Sequence, residues 1–315
     1  MAGAKKRPAR HTESASVPRE PDDDSFLTTL RDLDPRRFFL ASWRVLDAEA
    51  ADERRAREER KAGHDWRPLI AMVVAALMLT AMEYIGHRPT FEKLLSSLID
   101  SYGEHSLWAQ ARDSQFFELF TFVYWSGWRV LGYFIVPALV VKFVFKAPLT
   151  EYGLRGRGFQ KHLWVYGVFY CIVLVGVVGV SYTRAFSTHY PFYDHASRSW
   201  GDLAMWECLY AAQFFSLEFF FRGFWLRACK TQMGSGAVLA MIVPYCMIHY
   251  GKPLPETLGA IFAGLALGTL AMRTRSIWGG IMIHVGIAVS MDVAALLQTT
   301  GLPKVLWPHC ATAPR

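Results

Sequence analysis

The run Ser216-Leu217-Glu218-Phe219-Phe220-Phe221-Arg222-Gly223-Phe224-Trp225 sets an acid and a base four residues apart among apolar and aromatic side chains. On a helix that spacing puts both on one face, about 6 Å apart at Cβ, so the carboxylate and the guanidinium can meet. At bilayer depth each ionisable group costs roughly 2.5–3.5 kcal/mol on insertion scales, and is tolerated where it faces a bundle interior or a wet cavity. Further along stand Tyr245 with His249 four residues later, then His284, then Asp292. Counting inward from the cytoplasmic helix ends at about 1.5 Å per residue puts Glu218, His249 and His284 at roughly 13, 20 and 10 Å, in one slab. A carboxylate can take a proton from water, an imidazole can polarise that water or stabilise an oxyanion, and an arginine can hold the carboxylate in place. The combination suits peptide hydrolysis by activated water, and no serine or cysteine is placed as a nucleophile.

Each group also has a structural reading. A Glu–Arg pair at this spacing can be a buried structural pair, and a lone membrane histidine is often an interhelical hydrogen-bonder. The common depth of Glu218, Arg222, His249 and His284 favours a catalytic site over four separate structural roles. Asp292 is a weaker member, since it lies about 80° around the helix from His284. His, His and Glu are also zinc ligands, but H-E-x-x-H is absent, so neither a metal nor any other cofactor is assigned.

The elements that must position these groups read as membrane helices. About half of the 315 residues are apolar (52%) and aromatics reach 15%, which points to a polytopic all-α membrane bundle. The net charge of +7 does not indicate nucleic acid, because the basic residues gather in the N-terminal arm and in short connections between apolar runs. Cys171, Cys208, Cys229, Cys246 and Cys310 form no C-x-x-C pair and no zinc-ribbon spacing, and buried thiols are the reading. No apolar h-region follows Lys5, Lys6 and Arg7, so the N-terminus does not read as a cleaved signal peptide.

Residues 1–65 form a polar, largely disordered cytoplasmic arm with one helical piece, and Phe38 to Leu46 can make a short amphipathic helix on the membrane. Residues 66–162 hold the first two spans and their connections, 163–297 the core that carries the site, and 298–315 a short tail. About seven spans are expected: 68–84, 124–145 with a kink at Pro137, 163–182, 203–226, 236–249, 257–272 and 277–297. Gly264-x-x-x-Gly268 reads as a packing seam, and Gly279-Gly280 allows close approach at the start of the last span. Lys and Arg cluster at Arg54 to Lys61, Lys146 to Lys161, Arg227 with Lys230, and Arg273 with Arg275, which sets the N-terminus in the cytoplasm, and a bacterial inner membrane is the expected location.

Glu218 to Arg222, then Tyr245 to His249, then His284 resemble, in that order, the motifs of the CAAX prenyl protease and bacteriocin-processing (CPBP) family of intramembrane glutamic endopeptidases. The resemblance covers about residues 200–297 and implies a helical bundle in which glutamate and histidine activate water to cleave a peptide near its C-terminus. Residues 249–253 and 273–280 also resemble the myxosortase-like branch, which implies processing of C-terminal sorting segments. The family pattern places a further glutamate, commonly assigned as the base, where this chain has Leu217, and often a polar residue where it has Ala288. Three readings stay open: Glu218 is the base, Glu256 or Asp292 serves a variant site, or hydrolysis has been lost. The expected partners are the bilayer and a membrane-associated protein or peptide substrate. A non-catalytic binding or immunity protein on the same scaffold is the alternative, and a transporter a third class.

Overall fold

In the computed structural model, residues 34, 36–156 and 159–308 are described, and they contain helices and no strands. The stretch before Asp34, as well as Arg157 and Cys310, lies outside the described residues. The helices are α1 (Ser42–Glu59), α2 (Arg67–Tyr84), α3 (Arg88–Tyr102), α4 (Leu107–Arg112), α5 (Phe117–Val144) and α6 (Leu163–Ser181). They continue with α7 (Trp200–Glu218), α8 (Leu226–Met233), α9 (Gly236–Met247), α10 (Leu254–Thr274) and α11 (Trp278–Gln298). A seven-residue π turn, Phe219–Trp225, joins α7 to α8.

Five of these helices, α2, α5, α6, α10 and α11, are long and apolar enough to cross a membrane by length and composition. This is fewer than the seven spans expected. The difference lies in α9, only 12 residues long, and in α7, which carries Asp202, Glu207 and Glu218 within its 19 residues. Those charges are admitted because α7 is enclosed, packing along α5 and α11. The molecule is apolar outside and polar within: Val175 and Phe262 are 74% and 72% exposed, whereas Glu218 is 0% and Arg222 1% exposed. A surface of this kind suits hydrocarbon, and the buried charges have to find their partners inside the protein.

Pro137 shapes α5 as its chemistry requires. It has no N–H, and its ring crowds the carbonyl one turn back. The helix answers with π turns on either side, Leu131–Ile135 and Val140–Val144. Gly264 and Gly268 do form a seam between α10 and α9. A Cβ at Gly264 would sit 3.2 Å from the Tyr245 ring, and one at Gly268 would sit 3.0 Å from Met241.

The mixed-charge arm departs from the expected surface helix. α1 lies against α8 with Leu46 and Ala50 buried, and the π turn over Arg36–Ala41 before it buries Phe38 with Val165, Tyr166, Leu267, Leu270 and Ile283. Polar contacts fix the rest. Nζ of Lys230 donates to Glu49 at 2.7 Å and to Glu53 at 2.8 Å, and the Ser235 backbone N–H donates to Asp47 at 2.7 Å. A helix with so small an apolar face holds to the bundle mainly through these pairs.

The opposite end of α7 is capped with equal care. Ser199 accepts from the backbone N–H of Asp202 at 3.0 Å, and the Asp202 carboxylate receives Tyr193 Oη at 2.9 Å and the Arg198 guanidinium at 2.5 and 2.8 Å. Capping satisfies the orphan N–H groups of the first turn and sets where α7 enters the bundle.

Candidate active site

Three consecutive phenylalanines, Phe219, Phe220 and Phe221, are all fully buried, so the helix is enclosed on every side just after Glu218. Here the backbone widens into the π turn that contains Arg222 and Gly223. Such local widening is frequent at functional sites because it re-aims side chains without ending the helix. Gly223 is required by proximity, since a Cβ there would lie 2.4 Å from the carbonyl oxygen of Tyr152.

The turn brings Nη1 of Arg222 to 3.2 Å from Oε1 of Glu218, with both side chains fully buried. From α11, Nδ1 of His284 approaches the same carboxylate oxygen to 2.6 Å. These approaches are close but off the line of a hydrogen bond. Both Glu218 oxygens, the three guanidinium nitrogens of Arg222 and Nδ1 of His284 therefore lack an aligned hydrogen-bond partner. Buried polar atoms left this way are uncommon in folded proteins, and six of them gather here around one carboxylate.

Tyr245, on α9, ties the cluster together. Its ring lies under the Arg222 guanidinium, 4.0 Å from centroid to Cζ, a cation–π arrangement. Its hydroxyl lies 2.9 Å from Nε2 of His284. With Nδ1 of His284 facing a carboxylate, the arrangement places the proton on Nδ1 and lets Nε2 accept from the Tyr245 hydroxyl. Phe214 stacks on the other face of the imidazole, with centroids 5.4 Å apart and planes 3° from parallel.

His249 belongs to the group through Tyr245. The two rings meet edge to face at 4.9 Å, and Nδ1 of His249 lies 2.8 Å from the Tyr245 carbonyl oxygen. A carbonyl only accepts, so Nδ1 carries the hydrogen, and Nε2 of the neutral ring is left with its lone pair. The His249 carbonyl in turn accepts from Thr257 Oγ1 at 2.9 Å, which fixes the turn between α9 and α10.

The last helix can reach Glu218 only because it begins with two glycines. A Cβ on Gly280 would fall 2.3 Å from Oε2 of Glu218, and one on Gly279 would fall 2.2 Å from the Tyr166 ring. The close approach expected of this pair is thus made to the acid itself.

Asp292 and Glu256 have partners of their own outside the Glu218–His284 contact, and Glu256 stays within electrostatic reach of His249. Asp292 lies two turns beyond His284 and accepts from Trp206 Nε1 at 2.6 Å. Glu256, at the start of α10, accepts from Tyr190 Oη at 2.5 Å and from Lys252 Nζ at 2.6 Å. Leu217, which stands where the family pattern has its further glutamate, is 3% exposed and packed into the largest apolar cluster. Phe214 and Tyr166 were not singled out from the sequence. Phe214 lies four residues before Glu218, a spacing that could have flagged it, whereas Tyr166 gives no local signal. Among the described residues no three His, Cys, Asp or Glu side chains converge as a metal-binding group.

No curated protein and no solved structure matches the chain. One family model does match, over residues 199–290, under a third of the chain but the stretch that contains Glu218, Arg222, Tyr245, His249 and His284. The site-bearing helices are thus similar to the family described as type II CAAX prenyl endopeptidase Rce1-like, in agreement with the motifs read from the sequence.

Proposed function

We propose that the chain is an intramembrane endopeptidase in which Glu218, Arg222, Tyr245, His249 and His284 act on a peptide bond through an activated water. The observation that carries this reading is the contact of Glu218 with His284 across two helices, backed by Arg222 and bridged by Tyr245. In the reaction, Nε2 of His249 takes a proton from water as its oxygen adds to the scissile carbonyl. The carbonyl becomes an oxyanion, which the Tyr245 O–H beside His284 stabilises by turning to it from Nε2, and the proton on His249 passes to the amine as the C–N bond breaks. Glu218 fixes the orientation of His284, and Arg222 supplies the counter-charge that keeps a carboxylate tolerable in the bundle.

The substrate in this proposal is a membrane-associated protein or its C-terminal sorting segment, and the N-terminus faces the cytoplasm of a bacterial inner membrane. The five apolar helices and the family match of residues 199–290 support the membrane setting and the protease class. Single replacements Glu218→Gln, His249→Ala and His284→Ala test it: each should leave uncut membrane proteins that the native protein processes.

A second reading rests on Leu217. Its side chain is buried among apolar neighbours and offers no carboxylate to water, which favours a scaffold that binds a peptide and releases it intact. Turnover of a peptide by the purified protein, with nothing added, removes this reading.

A further inference from the structure

A second polar feature lies at the end of the bundle where the basic connections meet. A cavity of about 580 Å³ opens between the N-terminal end of α2, the end of α5, the start of α8 and the α10–α11 connection. It is lined by five cationic side chains, Arg67, Arg155, Arg227, Lys230 and Arg275, and by two acids, Glu53 and Glu151.

The cations are in excess by one, since five stand against the four carboxylates Glu49, Glu53, Asp65 and Glu151. Lys230 is taken by Glu49 and Glu53, and Arg67 by Asp65 at 2.6 Å. Glu53 also accepts from Thr231 at 2.8 Å, so little of it is left for the cavity. Arg275 has Glu49 at 3.4 Å, a carboxylate it shares with Lys230. Arg227 donates to the Ala271 carbonyl at 3.2 Å, yet its Nε is buried with no hydrogen-bond partner. Burial and the like charge of Arg275 bring the Arg227 guanidinium down to about 10, so it remains cationic near neutral pH. Arg155 is exposed at the rim. Tyr152, whose hydroxyl is pushed up to about 12 chiefly by burial, adds a neutral O–H.

Arginines gathered around a neutral hydroxyl form a donor set for the oxygens of a phosphate group. The setting favours a lipid as its carrier. Phe143 and Val144, at the end of α5 beside the lining residue Phe145, are 63% and 55% exposed, and Trp66 next to Arg67 is 58% exposed. Exposed apolar side chains beside a cationic cleft suit an acyl chain beneath its headgroup, and tryptophan concentrates at that depth. We propose that this cavity binds the phosphate of an anionic phospholipid headgroup, independently of the hydrolytic site.

Native mass spectrometry of the detergent-purified full chain tests this, with phosphatidylglycerol, phosphatidylcholine and inorganic phosphate as separate ligands. Phosphatidylglycerol should bind at least tenfold more tightly than phosphatidylcholine. Arg155→Gln and Arg275→Gln change exposed side chains, so the fold should survive them. A charge near the membrane surface contributes about fivefold in binding, so the double variant should lose about twenty-five-fold. Lys93→Gln, an exposed charge on α3, should change nothing. If the two lipids bind alike while inorganic phosphate binds and loses affinity in the double variant, the phosphate site stands and its carrier is the free ion. Equal binding of both lipids without phosphate binding, or a phosphatidylglycerol preference unchanged in the double variant, overturns the proposal.

Discussion

Nδ1 of His284 stands 2.6 Å from Oε1 of Glu218, and the helix that carries the histidine reaches the acid through a glycine, Gly280, directly beside the carboxylate. The contact joins α11 to the last residue of α7, just before the π turn, and Tyr245 completes it from α9. Three separate helices therefore meet at one buried carboxylate.

Gly280→Ala should disrupt this meeting, because its Cβ would lie 2.3 Å from Oε2 of Glu218. Overpacking of this kind costs about 1–3 kcal/mol. Processing of membrane substrates should fall by at least about tenfold, the rate equivalent of the lower part of that range. Gly259→Ala in α10 meets no atom within 4 Å and serves as the control, with unchanged processing. Both are scored by membrane proteomics in cells whose own copy is deleted.

Tyr245→Phe keeps the ring beneath Arg222 and removes only the hydroxyl near Nε2 of His284. A single hydrogen bond contributes about 1 kcal/mol to stability, so thermal unfolding should move little. Processing should nevertheless drop roughly 10- to 100-fold if the hydroxyl holds the imidazole for catalysis, as for other groups acting in the transition state. Equal processing by Tyr245→Phe and native protein would reduce Tyr245 to a packing role.

The Glu218–Arg222 pair separates stability from chemistry. Removing one partner of a buried pair leaves an uncompensated charge and costs about 3–5 kcal/mol, whereas apolar or neutral replacement of both can be nearly neutral. Arg222→Met should therefore reduce the amount of folded protein in detergent. The double variant Glu218→Gln with Arg222→Met should restore the yield while remaining unable to process substrate.

The docking of α1 should depend on pH. Burial by itself would raise the Glu53 carboxyl, but the hydrogen bonds and charge of Lys230 and Thr231 outweigh it and hold the group below its ordinary value of 4.5. A carboxylate depressed in the folded state contributes its stabilisation fully above that ordinary value and loses it as pH falls through the lower, folded one. Hydrogen exchange across residues 42–59 should thus be slow, relative to its intrinsic rate, at neutral pH and lose that protection below about pH 4.5. Glu53→Gln should remove most of this dependence.

Much of this arrangement was legible in the residues themselves. The spacing of Glu218 and Arg222 implied their contact, and Gly264 and Gly279-Gly280 marked the places where neighbours come within a side chain's width. Depth along a helix proved a poorer guide than direction around it. Asp292 shares α11 with His284 but is turned aside and about 12 Å further along, where Trp206 receives it. Hydropathy read α7 as a span, but Asp202, Glu207 and Glu218 leave it short of the apolar composition of a solitary one, and its place along α5 and α11 is a property no window of α7 alone can show. The docking of α1 was hidden for the same reason: Lys230 and Ser235, which hold it, lie far along the chain.

The most direct measurement compares the membrane proteomes of a deletion strain carrying native protein, Glu218→Gln, His249→Ala or His284→Ala, each expressed and inserted at equal levels. The account predicts that the same set of membrane proteins keeps an uncut C-terminal segment in all three variants and is cut with the native protein. Unaltered cutting by any variant that remains inserted and folded would contradict a hydrolytic role for the residue replaced, and unaltered cutting by all three would contradict the site.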